Sequence, residues 1–221
     1  MERSDIAILI PALNEASTIE KVVREALLHG EVIVIDDGST DDTAALARTA
    51  GAHVLANPGP NGYDSAINTG FVEADRLGYS LAVTMDADGE HNPAHIQSFS
   101  RALMEDGVML AIGRRPRSQR FAEAMLANYF RRRFGINDPL CGMKGYRMEL
   151  FRENGGFDHV CSIGTELMFN AVRRGHLYRE IEVSGSMRRD NSRFGRSFRA
   201  NCRIGLALVR LMILERTERF N

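Results

Sequence analysis

The chain has 221 residues, 44% of them hydrophobic, which suffices for one domain with a sizeable core. Its formal net charge of −1 hides a split: residues 1–110 carry 6 Lys/Arg against 18 Asp/Glu, and residues 111–221 carry 22 against 11. Three widely spaced cysteines without a CxxC pair argue against a zinc site and fit a reduced, cytosolic setting, while a polar N-terminus and apolar runs shorter than about 18 residues predict neither signal peptide nor membrane span.

In chain order, Ile6 to Ile10 predicts a first strand that ends at Pro11. Asn14 to Thr18 opens a helix through about Leu28, with Ile19, Val22, Val23, Ala26 and Leu27 at helical spacing. Val32 to Ile35 is an unbroken β-branched run, as in a strand buried on both faces of a parallel sheet. It runs into Asp36 and Asp37 and a polar turn, where Ser39 to Asp42 are cap candidates for a helix over Thr43 to Ala50 closed by Gly51. His53 to Ala56 predicts a short strand, residues 57–62 a loop, and Tyr63 to Leu77 a helix. Leu81 to Met85 is a strand ending at Asp86, Pro93 to Glu105 a helix, and Val108 to Ile112 a strand ending in Gly113. This alternation predicts an α/β fold with a mostly parallel central sheet and helices on both faces. The second half is less regular. Helices are expected over Phe121 to Phe134, Thr165 to Arg174 and Ala200 to Leu214, and a strand over Tyr178 to Val183. Asn137 to Arg147 reads as a strand or loop crossing the sheet edge, and Arg188 to Arg199 as a basic loop.

Two turns carry the chemistry. Ligands of open α/β sheets bind outside the carboxyl ends of the strands. Asp36 and Asp37 stand at such an end and can accept hydrogen bonds from a base or a ribose hydroxyl; the plainer alternative is that they terminate the strand and cap the helix. Asp86-Ala87-Asp88-Gly89-Glu90-His91 ends the other buried strand. Carboxylates two residues apart suit Mg²⁺ or Mn²⁺, which takes one or two protein oxygens and completes its shell with diphosphate and water. Glu90 either supports that metal or faces solvent, and His91 reads as a turn residue rather than a ligand.

Pro11-Ala12-Leu13-Asn14-Glu15, Val34-Ile35-Asp36-Asp37-Gly38-Ser39-Thr40-Asp41 and Asp86-Ala87-Asp88-Gly89 together resemble the successive motifs of family 2 glycosyltransferases with the GT-A fold. Within that family the chain is most similar to the polyprenyl-phosphate sugar synthase group, over about residues 5 to 200. The resemblance implies a nucleoside pocket lined by Pro11, Ala12, Leu13 and Glu15, with Asp37 and its neighbour Asp36 on the base or ribose. Asp86, Ala87 and Asp88 correspond to the metal and diphosphate motif. Glu90 stands where relatives often have Gln. Gly113-Arg114-Arg115 resembles a phosphate-holding segment, and Asp138 to Lys144 a segment near the acceptor. Arg189 and Arg193 fall in a segment that resembles a loop over the diphosphate, with its Gly and Ser displaced. Asp88, Glu166 and Arg115 form the implied catalytic set, and Arg114, Lys144, Arg189 and Arg193 the implied acceptor or phosphate set; Arg131 joins the latter from the Arg131-Arg132-Arg133 cluster, one or two of which are expected to touch acceptor phosphate or anionic lipid.

A sugar hydroxyl is a poor nucleophile at neutral pH and needs a base, which many hydroxyl-using relatives supply from an acidic pair. Here Gly164-Thr165-Glu166-Leu167 offers one acid. A phosphate monoester is already ionised and needs cations instead, which the Arg-rich half supplies. The expectation is a GT-A domain over residues 1–199 and a basic amphipathic helix over 200–221, which either lies in a membrane interface or packs onto protein. It would invert configuration while moving sugar from a nucleotide-diphosphate sugar to a polyprenyl-phosphate acceptor at the inner face of the membrane, serving the cell envelope. Three alternatives stay open: a saccharide-hydroxyl acceptor, a sugar-phosphate nucleotidyltransferase, and a nucleotide-sugar-binding subunit without turnover. Nucleic-acid binding is not expected, since aromatic and basic residues are not interleaved; self-association is left open.

Overall fold

Alternating hydrophobic runs make the first half fold as strand and helix in turn. The computed structural model describes residues 5–59, 62–105, 107–116, 121–184 and 198–217, the side chains of 121, 198–200 and 214–217 excepted. The strands are β1 (Ile6–Ala12), β2 (Glu31–Asp36), β3 (His53–Ala56), β4 (Leu81–Thr84), β5 (Val108–Arg114), β6 (Lys144–Arg147) and β7 (Leu177–Glu182). The helices are α1 (Ile19–Ala26), α2 (Thr43–Ala50), α3 (Tyr63–Arg76), α4 (Ile96–Met104), α5 (Phe121–Phe134), α6 (Met148–Asn154), α7 (Glu166–Arg173) and α8 (Phe198–Thr217).

Among the described residues the strands form one sheet in the order β3-β2-β1-β4-β6-β5-β7. All neighbours are parallel except β6, which runs antiparallel to both β4 and β5. Strand side chains alternate between faces. Ala7 and Leu9 join the core under α3, α5, α6, α7 and α8, whereas Ile6, Ile8 and Ile10 join the core under α1, α2 and α4. This is the expected α/β architecture.

Three details depart from expectation. β1 does not end at Pro11 but runs on to Ala12. The Leu9 carbonyl accepts the Met85 N–H at the end of β4. Pro11 faces that same side, beyond the last rung, so its missing N–H removes no ladder bond. The segment Asn137 to Arg147 does not cross the sheet edge: β6 fills the interior between β4 and β5. Gly145 makes room there, since an added Cβ would lie 3.0 Å from Leu103 Cδ1 on α4. Helix α6, a single short element following β6, has no counterpart in the expected elements.

The carboxyl ends of β1, β2 and β4 lie side by side, so residues 11–18, 36–43 and 85–91 emerge along one edge. Helix α8 packs Ile204, Ala207 and Leu211 inward and leaves Leu206, Val209, Met212 and Ile213 exposed.

Candidate active site

Short polar side chains lace the first two loops together. Asn14 takes a left-handed φ of 48°, which Asn tolerates better than most residues. Its N–H donates to Ser39 Oγ at 2.8 Å, and its Oδ1 accepts the Thr40 N–H at 2.7 Å. The Glu15 N–H donates to Thr43 Oγ1 at 2.7 Å. Of the expected caps, Asp41 serves α2 by accepting the Thr43 N–H at 3.0 Å, while Asp42 at the N-cap position makes no side-chain cap bond. Thr18, just before α1, donates its hydroxyl to the Ala87 carbonyl at 2.9 Å and so ties the first loop to the acidic turn after β4.

Asp36 and Asp37 diverge, as neighbours along an extended chain must. Asp36 is half-buried and accepts the Ser39 N–H at 3.2 Å. Asp37 is 7% exposed; it accepts Asn57 Nδ2 at 2.7 Å and the Gly62 N–H at 2.8 Å. Its carboxylate therefore holds the loop that leads into α3. Pro11 and Glu15 are half-buried beside this edge, Ala12 is buried, and Leu13 is exposed.

In the turn after β4, Asp86, Asp88 and Glu90 are half-exposed while Met85 and Ala87 are buried. Alternation thus turns the acids outward together. The Glu90 N–H donates to Asp88 Oδ1 at 3.0 Å. Gly142 presses on the Asp86 carboxylate from the Asp138–Met143 segment, which Thr84 secures by donating to the Gly142 carbonyl at 2.7 Å. His91 is a buried member of the site, with Nδ1 3.6 Å from Asp86 Oδ2 and Nε2 3.9 Å from Cys141 Sγ. Burial alone would lower its pKa, but Asp86, Cys141 and Asp88 outweigh burial and raise it to about 9. Tyr63 is also near: burial, then the Asp86 charge, push its hydroxyl pKa well up. Among the described residues no three His, Cys, Asp or Glu side chains form a ready metal cage. Two outward carboxylates nonetheless fit Mg²⁺ or Mn²⁺, hard cations that keep open positions for phosphate oxygens and water.

On the basic side lies a cavity of about 680 Å³, lined by Arg114, Arg115, Arg131, Asn137, Asp138 and Glu182 among others. Arg115 forks onto Asp138 at 2.7 and 2.9 Å. Arg114 pairs with Glu182, and exposed Arg131 donates to Asn128 at 3.1 Å. Lys144 departs from its expected place on the acceptor. It is 3% exposed, and its ammonium donates to the Cys141 carbonyl at 2.8 Å. Glu166 is likewise 3% exposed and accepts the His159 N–H at 2.5 Å, the Val160 N–H at 2.9 Å and His159 Nδ1–H at 2.8 Å. Arg189 and Arg193 lie outside the described residues.

In the sequence His91 reads as a turn residue, Gly142 as part of the segment near the acceptor, and Tyr63 as the start of a helix. His91 carries a signal in its position one residue past Glu90; Gly142 and Tyr63 reach Asp86 only through tertiary packing.

Residues 7–155 match the family described as Glycosyl transferase family 2. A 202-residue alignment to a polyprenol monophosphomannose synthase of Mycolicibacterium smegmatis is 30% identical and covers 80% of this chain and 76% of that one. A dolichyl-phosphate hexose transferase of Haloferax volcanii is 26% identical over 96% of both chains. An uncharacterized protein of Methanocaldococcus jannaschii is 28% identical over 66% of this chain, and the match spans only 61% of that protein. Among solved structures, glucosyl-3-phosphoglycerate synthase of Mycobacterium tuberculosis in complex with Mn²⁺ and UDP-glucose superposes with a TM-score of 0.79 at 23% identity, covering 96% of this chain and 80% of that one. That similarity shows a shared GT-A fold.

Proposed function

The chain belongs to glycosyl transferase family 2 and is a glycosyltransferase, and from that premise we propose that it moves a sugar, with inversion, from a nucleotide-diphosphate sugar to a polyprenyl-phosphate acceptor. The carrying observation is the contrast between Glu166 and the arginine cavity. Glu166 already accepts three N–H bonds and is buried. A carboxylate whose oxygens are already taken by N–H donors is poorly placed to receive the proton of an alcohol. The cavity on the basic side presents Arg114, Arg115 and Arg131, which suit an ionised phosphate. The names of the Mycolicibacterium and Haloferax relatives support the same acceptor class.

In this reading Pro11, Ala12, Leu13, Glu15, Asp36 and Asp37 build the nucleoside side of the crevice. Asp86 and Asp88, with Glu90 beside them, would hold Mg²⁺ or Mn²⁺. When bound, the ion supplies positive charge to the departing diphosphate. The acceptor phosphate enters from the arginine side and attacks the anomeric carbon on the face opposite the diphosphate. Arg115, oriented by Asp138, sits ready to share its charge with that phosphate. Catalysis then rests on positioning and charge rather than on proton removal. The exposed apolar side of α8 suits attachment at the cytoplasmic face of a membrane, where such an acceptor resides.

Calorimetry with Mn²⁺ over a panel of nucleoside diphosphates selects the donor, and labelled sugar then reports the acceptor. Label is expected in a polyprenyl phosphate. Transfer to a saccharide hydroxyl alone would overturn the acceptor assignment, and Mn²⁺-dependent binding that is unchanged in Asp88→Ala would overturn the metal role.

A further inference from the structure

Gly164 is gripped from two sides. Its N–H donates to Asp64 Oδ1 at 2.5 Å, and its carbonyl accepts the Lys144 ammonium at 3.4 Å. Asp64 stands in the first turn of α3 and Lys144 on β6. No larger residue fits between them: φ is +66°, and an added Cβ would lie 2.8 Å from Tyr63 Cε1.

The surrounding loop is strained. Cys161 and Ile163 hold left-handed φ values of 54° and 59°. Such conformations persist where the surroundings enforce them, commonly at ligand sites. Here the enforcement is visible. Asp158 accepts the Val160 and Ser162 N–H groups at 3.1 and 3.0 Å, and Glu166 accepts those of His159 and Val160. Asp64 of α3, Glu166 of α7 and the loop's own Asp158 therefore hold this one short loop.

The grip leads back to the acidic turn. Lys144 also bonds the Cys141 carbonyl, bracing the segment whose Gly142 presses on Asp86. Tyr63, against which Gly164 packs, feels the Asp86 charge. Asp64, Gly164, Lys144, Gly142 and Asp86 thus form one connected run behind the acidic turn.

We propose that Asp64 and Lys144 are positioning residues that hold residues 158–165 as the wall met by the donor's sugar ring beside Asp86. The proposal rests on the glycosyl-transfer reading above. A hexose attached to a diphosphate at Asp86 and Asp88 must lie beside those acids, and the wall is the rigid surface against which its ring would be oriented. A shift of this wall misplaces the anomeric carbon while leaving the nucleoside side untouched.

The test compares diphosphate binding with turnover in wild type, Asp64→Ala, Asp64→Asn and Lys144→Met. The probes are UDP with UDP-glucose and GDP with GDP-mannose, in Mn²⁺. Asp64→Ala is expected to keep its nucleoside-diphosphate Kd within about twofold while kcat for donor turnover falls about 10- to 100-fold. Asp64→Asn retains an oxygen for the Gly164 N–H and is expected to recover most of kcat. Lys144→Met, apolar and of similar length, should show the same split and stands in if Asp64→Ala does not fold. Wild-type kcat in Asp64→Ala or Lys144→Met overturns the proposal. So does parallel loss of diphosphate binding and kcat, or an Asp64→Asn variant as slow as Asp64→Ala. A wild type that binds neither diphosphate nor nucleotide sugar instead removes the glycosyl-transfer reading, and this proposal with it.

Discussion

Gly142 lies so close to Asp86 that a Cβ added to the glycine would stand 2.2 Å from Asp86 Oδ2. Real atoms do not approach so closely, so Gly142→Ala must turn the carboxylate away. Asp86 is half-exposed and its side chain can yield without disturbing the sheet. The expected outcome is a loss of about tenfold or more in Mn²⁺-dependent diphosphate affinity with little change in Tm, since one proposed metal ligand is displaced rather than a core residue. Calorimetry alongside a thermal melt checks this; unchanged affinity would show that the Asp86 orientation does not matter for the ion.

Thr18 reaches across to the Ala87 carbonyl, the residue between the two acids. Thr18→Val keeps the shape and removes the donor, leaving that carbonyl without this partner. A stability loss of about 1 kcal/mol is expected, with a raised KM for the nucleotide sugar. Thr18→Ser should restore both. Urea melts and steady-state kinetics on the three proteins decide it, and a Thr18→Val variant equal to wild type in both would dismiss the tie as incidental.

Asp64 has its pKa raised from 3.8 to about 6 by burial and by Asp158, against the opposing pull of the Gly164 N–H and the Lys144 charge. The folded state therefore holds this proton more tightly than the unfolded chain. Its contribution to stability is full below pH about 4 and is lost as pH rises through about 6. Asp64→Asn cannot titrate and should lack this fall. Denaturant midpoints across that window, taken as the difference between the two proteins, give the sign directly; parallel profiles would mean that Asp64 titrates normally.

Leu206, Val209 and Ile213 line one exposed side of α8 near exposed Arg203. Burying such side chains in a lipid interface contributes on the order of 1 kcal/mol or more each. The triple change to Ser should cut binding to phosphatidylglycerol vesicles by about tenfold or more, and added salt should weaken wild-type binding further. Cosedimentation that is equal for the two proteins would leave this face without a lipid role.

The acidic turns after β2 and β4 are legible because a β-branched run stops abruptly at carboxylates, and parallel strands deliver their carboxyl ends to one edge. Helix and strand periods likewise place α5, α7 and β7 within a residue or two. Strand β6 is hidden, since four residues give little periodicity and its position depends on partners from β4 and β5. From the sequence, Lys144 is expected on the acceptor or its phosphate. Only its depth in the sheet reveals that it braces backbone carbonyls.

The sequence by itself determines the α/β class, the family and the two acidic turns, because these follow from local hydrophobic period and from residues adjacent in the chain. Which lone pairs remain open is decided only by the tertiary structure. Asp37 is taken up by Asn57 and Gly62, 20 and 25 residues on, and Glu166 by His159 and Val160 of the loop before α7. Hydrogen-bond valence is filled by neighbours in space, and no linear pattern encodes those neighbours.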